Sequence, residues 1–436
     1  MSGFRFPGKA QALAACVIAV AGLTGPSAAS AQTPAPGAPR PAEGAPTAGS
    51  EFEDPSVLSL VAEYGITIEQ AQAQMEAQVA AGRAERDLPS ELSMVYSGRQ
   101  VSHDRMAAVA VAIADLTRAS AIRDHFAGYG IENLDVRIVA STRTEVHGLI
   151  EQLRARLRAG RPDGSLPMIE VGNRSLGMVT VRVADGELNT TEADIVSMAL
   201  ASPEIYQLAY VDSFPKSAEE ACDFVGDIEC DPPLRGSVRI MEGGICSAGF
   251  IARSLSDGKP YVLTAGHCDD GAGNWQTRFA NGETHAIGPF HNSRNNLVTD
   301  AGIIRVNNPS GWNFGSPFVT VDPTGGEPAH ETYVINDVLN PGLNDRVCAT
   351  LGNTARTDCG EVTDNNVSDG TTDGLFEVNG LCTDGGDSGS PYFASHVAYG
   401  VHSSGDGVSG TTGCLFGRAE HALEASSQMN VYIVEA

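Results

Sequence analysis

Ser388 lies in Cys382-Thr383-Asp384-Gly385-Gly386-Asp387-Ser388-Gly389-Ser390-Pro391, a setting that suits a nucleophile held on a tight turn. The glycines remove side-chain bulk, so a scissile carbonyl can approach closely. Backbone N–H groups in such a turn can converge on the oxyanion of an acyl-transfer transition state, where one donor is worth roughly 3 kcal/mol of barrier. Gly386 and Ser388 are the expected donors. Gly-Asp-Ser-Gly alone is also compatible with an ordinary glycine-rich loop, so the chemistry requires a base and a group to orient that base.

The chain offers both. Thr264-Ala265-Gly266-His267-Cys268 ends the apolar run Pro260-Tyr261-Val262-Leu263, which predicts a strand with a histidine at its tip. An imidazole that titrates near neutrality can take the Ser388 hydroxyl proton and later return it to a leaving amine. Thr299-Asp300-Ala301-Gly302-Ile303-Ile304-Arg305-Val306 sets a carboxylate just before a buried strand. Asp300 there is suited to fix the imidazole tautomer and stabilise the imidazolium. Taken singly, His267 has a surface or core role as its plainer alternative, and Asp300 a turn-forming one.

In the order His267, Asp300, Ser388, with Cys-x-x-Gly-Gly-Asp-Ser-Gly around the serine, residues 235 to 436 resemble the chymotrypsin-like serine peptidases. The spacing after Cys382 is similar to that of the secreted bacterial branch containing the streptogrisins and alpha-lytic protease. The resemblance implies a mainly β fold, with two antiparallel β-barrels and the site between them. It also implies an α+β pro-region upstream, which assists folding and blocks the site until it is cleaved off. A double barrel has many non-local contacts and folds slowly, so a covalent template has a physical purpose. An independent binding domain is the alternative for that segment.

The elements that must position these groups follow a clear organisation. Arg5 and Lys9, an apolar run over residues 10 to 23 and Ala29-Ser30-Ala31 predict a signal peptide over residues 1–31. Pro, Ala and Gly dominate residues 32–50, which predicts a disordered linker. The resemblance implies that residues 51–221 form the α+β pro-region and residues 222–436 the peptidase domain. Helices are expected over 54–84, 103–126, 143–159 and 191–201, and strands over 133–140, 166–171, 176–184 and 205–212. From residue 133 this gives the β-α-β-β-α-β order of a ferredoxin-like module. Thr191 with Asp194 is the expected start of the last helix. His103, His125 and His147 read as solvated helical positions. Maturation is expected near residues 213 to 245.

Of nine cysteines, Cys16 leaves with the signal and eight lie beyond residue 221, which fits disulfides in an oxidising compartment. The family resemblance implies Cys246 with Cys268, Cys348 with Cys359 and Cys382 with Cys414, leaving Cys222 with Cys230. With 28 Lys and Arg against 54 Asp and Glu, the net charge is −26, which argues against nucleic acid as a partner. The expected partners are polypeptide substrates and the chain's own pro-region; the mature form is expected to be secreted, monomeric and free of the membrane. No cofactor is expected and no metal site either: Asp269-Asp270-Gly271 and the loop 364 to 374 read as solvated turns rather than calcium sites.

Substrate preference falls to the walls of the specificity pocket, which the resemblance assigns to residues before Ser388 and to Tyr399-Gly400-Val401-His402-Ser403-Ser404-Gly405. Ser403 is placed to touch the buried Asp300. Glu-specific bacterial members carry a histidine at the position of His402, and the hydroxyls of Thr383 and Ser404 are positioned to add hydrogen bonds to a substrate carboxylate. Those members support that histidine with others, whereas Tyr392 and Phe416 stand here. Cleavage after Glu or Asp and cleavage after small or apolar residues both remain open. Bacterial relatives often place an Arg after the cysteine corresponding to Cys348, paired with the aspartate that is Asp387; this chain has Ala349, so Arg346 or Arg356 is expected to take over. The leading expectation is a serine endopeptidase made as a precursor. A secreted binding protein or pseudoprotease on the same fold is the alternative.

Overall fold

Period-two alternation in the strands beyond residue 238 sorts their side chains between two layers. Ile251, Val262 and Ile304 fill one barrel together with Ile240, Trp275 and Ile287. Their neighbours Phe250, Ala252, Tyr261, Leu263, Ala301 and Ile303 point the other way, into a shared core with Phe393, Ala398 and Val401. Successive strand side chains face opposite sides, so strands buried on both faces read as continuous apolar runs.

The protein is described here by a computed structural model covering residues 54–103, 108–161, 168–211, 233–271, 273–278, 284–312, 314–321, 331–406 and 414–436. The expected signal, the linker and the Cys222 with Cys230 pair lie outside these residues. The first barrel combines a sheet ordered Phe290–Asn296, Thr299–Arg305, Pro260–Thr264, Phe250–Ser254, Val431–Ile433 with a four-stranded sheet built from Arg239–Glu242, Gly244–Ser247, Trp275–Arg278 and Thr284–Gly288. In the second, the strands Val397–Gly405, Pro391–Ala394, Arg346–Leu351, Arg356–Val367, Leu375–Asn379 and Phe416–His421 follow one another, and the last pairs back on the first to close the barrel. The double-barrel expectation is met. Three disulfides join Cys246 to Cys268, Cys348 to Cys359 and Cys382 to Cys414.

The N-terminal segment is α+β as expected, but four details of its expected order need correction. The run Met106 to Ile113 was expected within a helix; Ala108–Ile113 is instead a strand, antiparallel to Tyr96–Ser102 and parallel to Asp135–Ile138. Val109, Val111 and Ile113 share one core with Ile122 and Phe126, so β-branched residues alternating with alanines outweigh the helix propensity of alanine. That extra strand takes Asp135–Ile138 as its partner, so the ferredoxin-like single sheet does not form. Ile169–Ser175, Met178–Ala184 and Tyr206–Val211 make a separate three-stranded sheet. The expected helix 54–84 is two helices, Pro55–Tyr64 and Ile68–Arg86, because Gly65 adopts φ 64° at the first C-cap and Thr67 with Gln70 forms a new capping box. The last helix, Thr190–Ala201, starts on an Asn189 and Glu192 capping box rather than on Thr191 with Asp194.

The histidines of this segment are not simply solvated. His103 is buried, with Nδ1 3.0 Å from Gln74 Oε1; His125 Nε2 lies 2.8 Å from the Ala84 carbonyl; and burial pushes His147 down to about 4.

The segment docks on the second barrel. Val57, Leu60, Ala71, Met75 and Val79 join the apolar cluster of Leu339, Val347, Val397 and Tyr399. Gln78 exchanges two hydrogen bonds with the Arg346 backbone, at 2.7 and 3.0 Å. Arg99 donates from Nη1 and Nη2 to the two oxygens of Asp345 at 2.6 and 2.5 Å, both side chains having 0% exposure. Further along the barrel, Asp364 accepts from Asn173 N–H at 2.9 Å, Arg174 reaches Glu377 at 2.7 Å, and Arg418 reaches Glu170 at 3.0 Å.

Candidate active site

His267 is delivered by the strand Pro260–Thr264 and a single 3-10 turn, Gly266–Cys268. Gly266 is required there because a Cβ would lie 1.9 Å from the Arg294 carbonyl. The neighbouring strand Thr299–Arg305, paired with it through Thr264 and Gly302, sets Asp300 beneath the imidazole. Asp300 Oδ1 accepts the His267 backbone N–H at 2.9 Å, and Oδ2 lies 2.7 Å from His267 Nδ1. On the other ring edge, Nε2 is 2.7 Å from Ser388 Oγ. Three groups distant in sequence are thus joined in one hydrogen-bonded line.

Ser403 donates to Asp300 Oδ2 at 2.6 Å, so its hydroxyl faces the aspartate rather than a pocket. Burial alone would push the Asp300 carboxyl up. The His267 partner and the bonds from the Ser403 hydroxyl and the His267 amide outweigh that and hold it below its usual range. The aspartate therefore stays ionised through neutrality, as an orienter of imidazolium must.

The serine turn is built from alternating backbone bonds. Asp387 N–H donates to Asp384 O at 3.1 Å, Gly389 N–H to His402 O at 2.9 Å and Ser390 N–H to Asp387 O at 2.9 Å. Among the described residues, no protein acceptor takes the intervening N–H groups of Gly386 and Ser388. Gly386 and Gly389 have φ 94° and 91°, and a Cβ on Gly389 would meet Thr264 Oγ1 at 2.1 Å. Ser247, from the other barrel, grips the turn: its N–H donates to Ser388 O at 2.7 Å and its hydroxyl to Gly386 O at 2.8 Å.

Asp387 is fully buried, and the expected arginine is not what holds it. Its carboxylate accepts the backbone N–H groups of Asn353 (2.9 Å), Thr354 (3.1 Å) and Asp384 (2.8 Å). Arg346 instead pairs with Glu63 at 2.5 Å and Arg356 with Asp358 at 3.2 Å. Amide donors stabilise a buried carboxylate without a second buried charge. Asn353 adds a bond from Nδ2 to the Gly385 carbonyl at 2.6 Å. Nothing in the sequence around Asn353 marks this part, because it depends on a loop meeting a turn from another strand.

His402 is fully buried, stacked on Tyr392 at 5.8 Å, with Nδ1 2.9 Å from the Tyr392 hydroxyl. Tyr392 packs edge-on against Phe376, which in turn contacts His421 at 5.1 Å. Thr383 has a buried hydroxyl with no protein partner among the described residues. Gly417 lies beside it: a Cβ there would come within 2.2 Å of the Tyr392 hydroxyl and 3.2 Å of Thr383 Cγ2. Phe416 stacks under the Arg418 guanidinium. Ser404 donates to Asp369 Oδ2 at 3.1 Å, which diverts its hydroxyl from a substrate. In the acidic loops, Asp269 accepts from Gly271 N–H at 3.1 Å, and Asp369 from the Thr371 and Thr372 N–H groups at 2.8 Å.

Residues 233–417 match the Trypsin family. The chain is 33% identical over 183 residues to glutamyl endopeptidase 2 of Streptomyces griseus, covering 41% of this chain and 89% of that protein. It is 31% identical to serine protease 2 of Streptomyces fradiae, covering 39% of this chain and 92% of the relative. Among solved structures, similarity extends to a glutamic-acid-specific serine protease described as using a histidine triad in substrate binding, at 30% identity and TM-score 0.38, covering 46% of this chain and all of that one.

Proposed function

Because the chain belongs to the trypsin-like serine proteases and is a serine endopeptidase acting on polypeptides, we propose that Ser388, His267 and Asp300 perform its chemistry. The observation that carries this is the unbroken line from Ser388 Oγ through the imidazole to the buried Asp300, with spacings of 2.7 Å on both sides of the ring. Ser388 Oγ attacks the scissile carbonyl carbon while His267 Nε2 takes its proton. The carbonyl oxygen becomes an oxyanion, received by the N–H groups of Gly386 and Ser388. As the tetrahedral species collapses, the C–N bond breaks and the imidazolium gives its proton to the leaving amine. Water, deprotonated by the same imidazole, then attacks the acyl-serine, and the serine departs with that proton. A serine-directed phosphonate tests the assignment: mass spectrometry should find the adduct on Ser388, and an adduct elsewhere refutes it.

The enzyme is, in this proposal, secreted as a precursor. Residues 1–31 act as the signal, residues 51–221 as a pro-region that templates folding and restrains the site, and the maturation bond falls near residues 213 to 245. The buried contacts that the helices and sheets of residues 54–211 make with the second barrel support this, as do disulfides suited to an oxidising space.

For specificity, we propose cleavage after Glu or Asp, with His402 meeting the substrate carboxylate. The Tyr392 hydroxyl replaces a second histidine behind it, and the buried Thr383 hydroxyl, with no protein partner among the described residues, is left for the substrate to satisfy. The similarity to a glutamyl endopeptidase supports the same choice. Peptide-library profiling is expected to show cuts after Glu, and His402→Ala should lower kcat/KM for them at least about tenfold relative to cuts after Ala or Leu. A profile dominated by small or apolar residues and indifferent to His402→Ala would establish a pocket for those residues instead.

A further inference from the structure

Behind the catalytic aspartate lies a carboxyl group that the mechanism above does not use. Glu420, in the strand Phe416–His421, is 1% exposed, and its Oε2 accepts the backbone N–H of Asp300 at 3.0 Å. The Asp300 side chain is fixed by His267 and Ser403; its main chain is fixed by Glu420. We propose that Glu420 is a positioning residue for the catalytic aspartate, holding the Asp300 backbone in place and, once ionised, adding a second negative charge behind the His267 imidazolium.

The surroundings define when that charge appears. Burial pushes Glu420 up to about 8; the Asp300 N–H bond and the adjacent Thr299 hydroxyl oppose this, while the charges of Asp300 and Glu424 reinforce it. The groups facing it are Asp300 from the strand Thr299–Arg305 and Glu424 from the helix Ala422–Met429. The paired strand Val397–Gly405 brings uncharged Val401 opposite it. His421, next in the chain, engages Phe376 and the Asn365 carbonyl instead. Near neutrality Glu420 is therefore a neutral acid that accepts the Asp300 N–H without a second buried anion. Above pH 8 it loses its proton. The imidazolium that develops in the transition state stabilises that anion, so Glu420 is more acidic in the transition state than in the free enzyme. Linkage then requires the rate to rise as it ionises.

The test compares Glu420→Gln and Glu420→Ala with the parent, each expressed as the full chain, matured and assayed over pH 5.5 to 10. The parent is expected to show a second rise in kcat/KM of roughly 5-fold centred near pH 8. Glu420→Gln keeps an oxygen acceptor and should retain the parent kcat at pH 7 within about 2-fold while losing the alkaline rise. Glu420→Ala should lower kcat about 10-fold at little-changed KM. An alkaline rise that persists in Glu420→Gln overturns the proposal, as does an equal loss of kcat in Gln and Ala variants, which would mean packing alone. Should Glu420→Ala fail to fold, the Gln profile decides. The inference rests on the triad assignment, which is judged separately by the labelling of Ser388.

Discussion

Ser388→Ala in the full chain is expected to lower kcat/KM by roughly 10^3- to 10^6-fold, because it removes the proposed nucleophile. His267 and Asp300 stay paired at 2.7 Å without it, and the two N–H donors of the turn remain, so folding and substrate binding should survive. The residue of activity measures what the oxyanion donors and binding contribute alone. The same variant bears on the proposed maturation: mass spectrometry should find the Ser388→Ala chain uncut between residues 213 and 245 and the unmodified chain cut there. Undiminished hydrolysis by Ser388→Ala would refute the assigned nucleophile.

Arg99→Ala is expected to destabilise the uncleaved chain by about 3–5 kcal/mol. The guanidinium makes two bonds to Asp345 at 2.6 and 2.5 Å, a third to Glu85 at 2.8 Å, and is wholly shielded from water. Removing it leaves the buried Asp345 without its cation, while Glu85 keeps Arg143. Measured in a Ser388→Ala background to prevent processing, the effect should appear as a lower urea midpoint at little-changed slope. Arg99→Met combined with Asp345→Leu should recover most of the loss, because replacing both partners removes the unpaired charge. A change under about 1 kcal/mol in Arg99→Ala would show that this contact does not hold the N-terminal segment to the barrel.

The parts legible in the sequence are those encoded by short local patterns. His267 and Ser388 sit in motifs whose glycines are dictated by steric contact, as at Gly266 and Gly389, and Asp300 leads an unmistakably apolar strand. The helix expected over 143–159 forms as Arg143–Ala159, and the structure shows it capped by Thr142 and Glu145. What escaped is what depends on meetings between distant segments. Ala108 to Ile113 became a strand because its alternating β-branched residues found two partner strands, which no local pattern announces. Asp387 needed amides from residues 353 and 354 that no spacing rule connects to it, and expecting an arginine assumed that a buried charge requires a charged partner. Glu420 looks like any strand glutamate until the Asp300 main chain is laid against it.

The grip of Ser247 on the serine turn has a consequence for when this enzyme can begin to cut. Ser247 belongs to one half of the molecule and the turn to the other; a neighbouring bond, Thr264 Oγ1 to Ser247 O at 2.7 Å, anchors that grip beside His267. Neither half alone holds a finished cradle for the oxyanion. On the assignment proposed above, a nascent chain that has folded only its first half, or only its second, lacks the assembled turn; closure of the halves completes it, and removal of the proposed pro-region then releases the site.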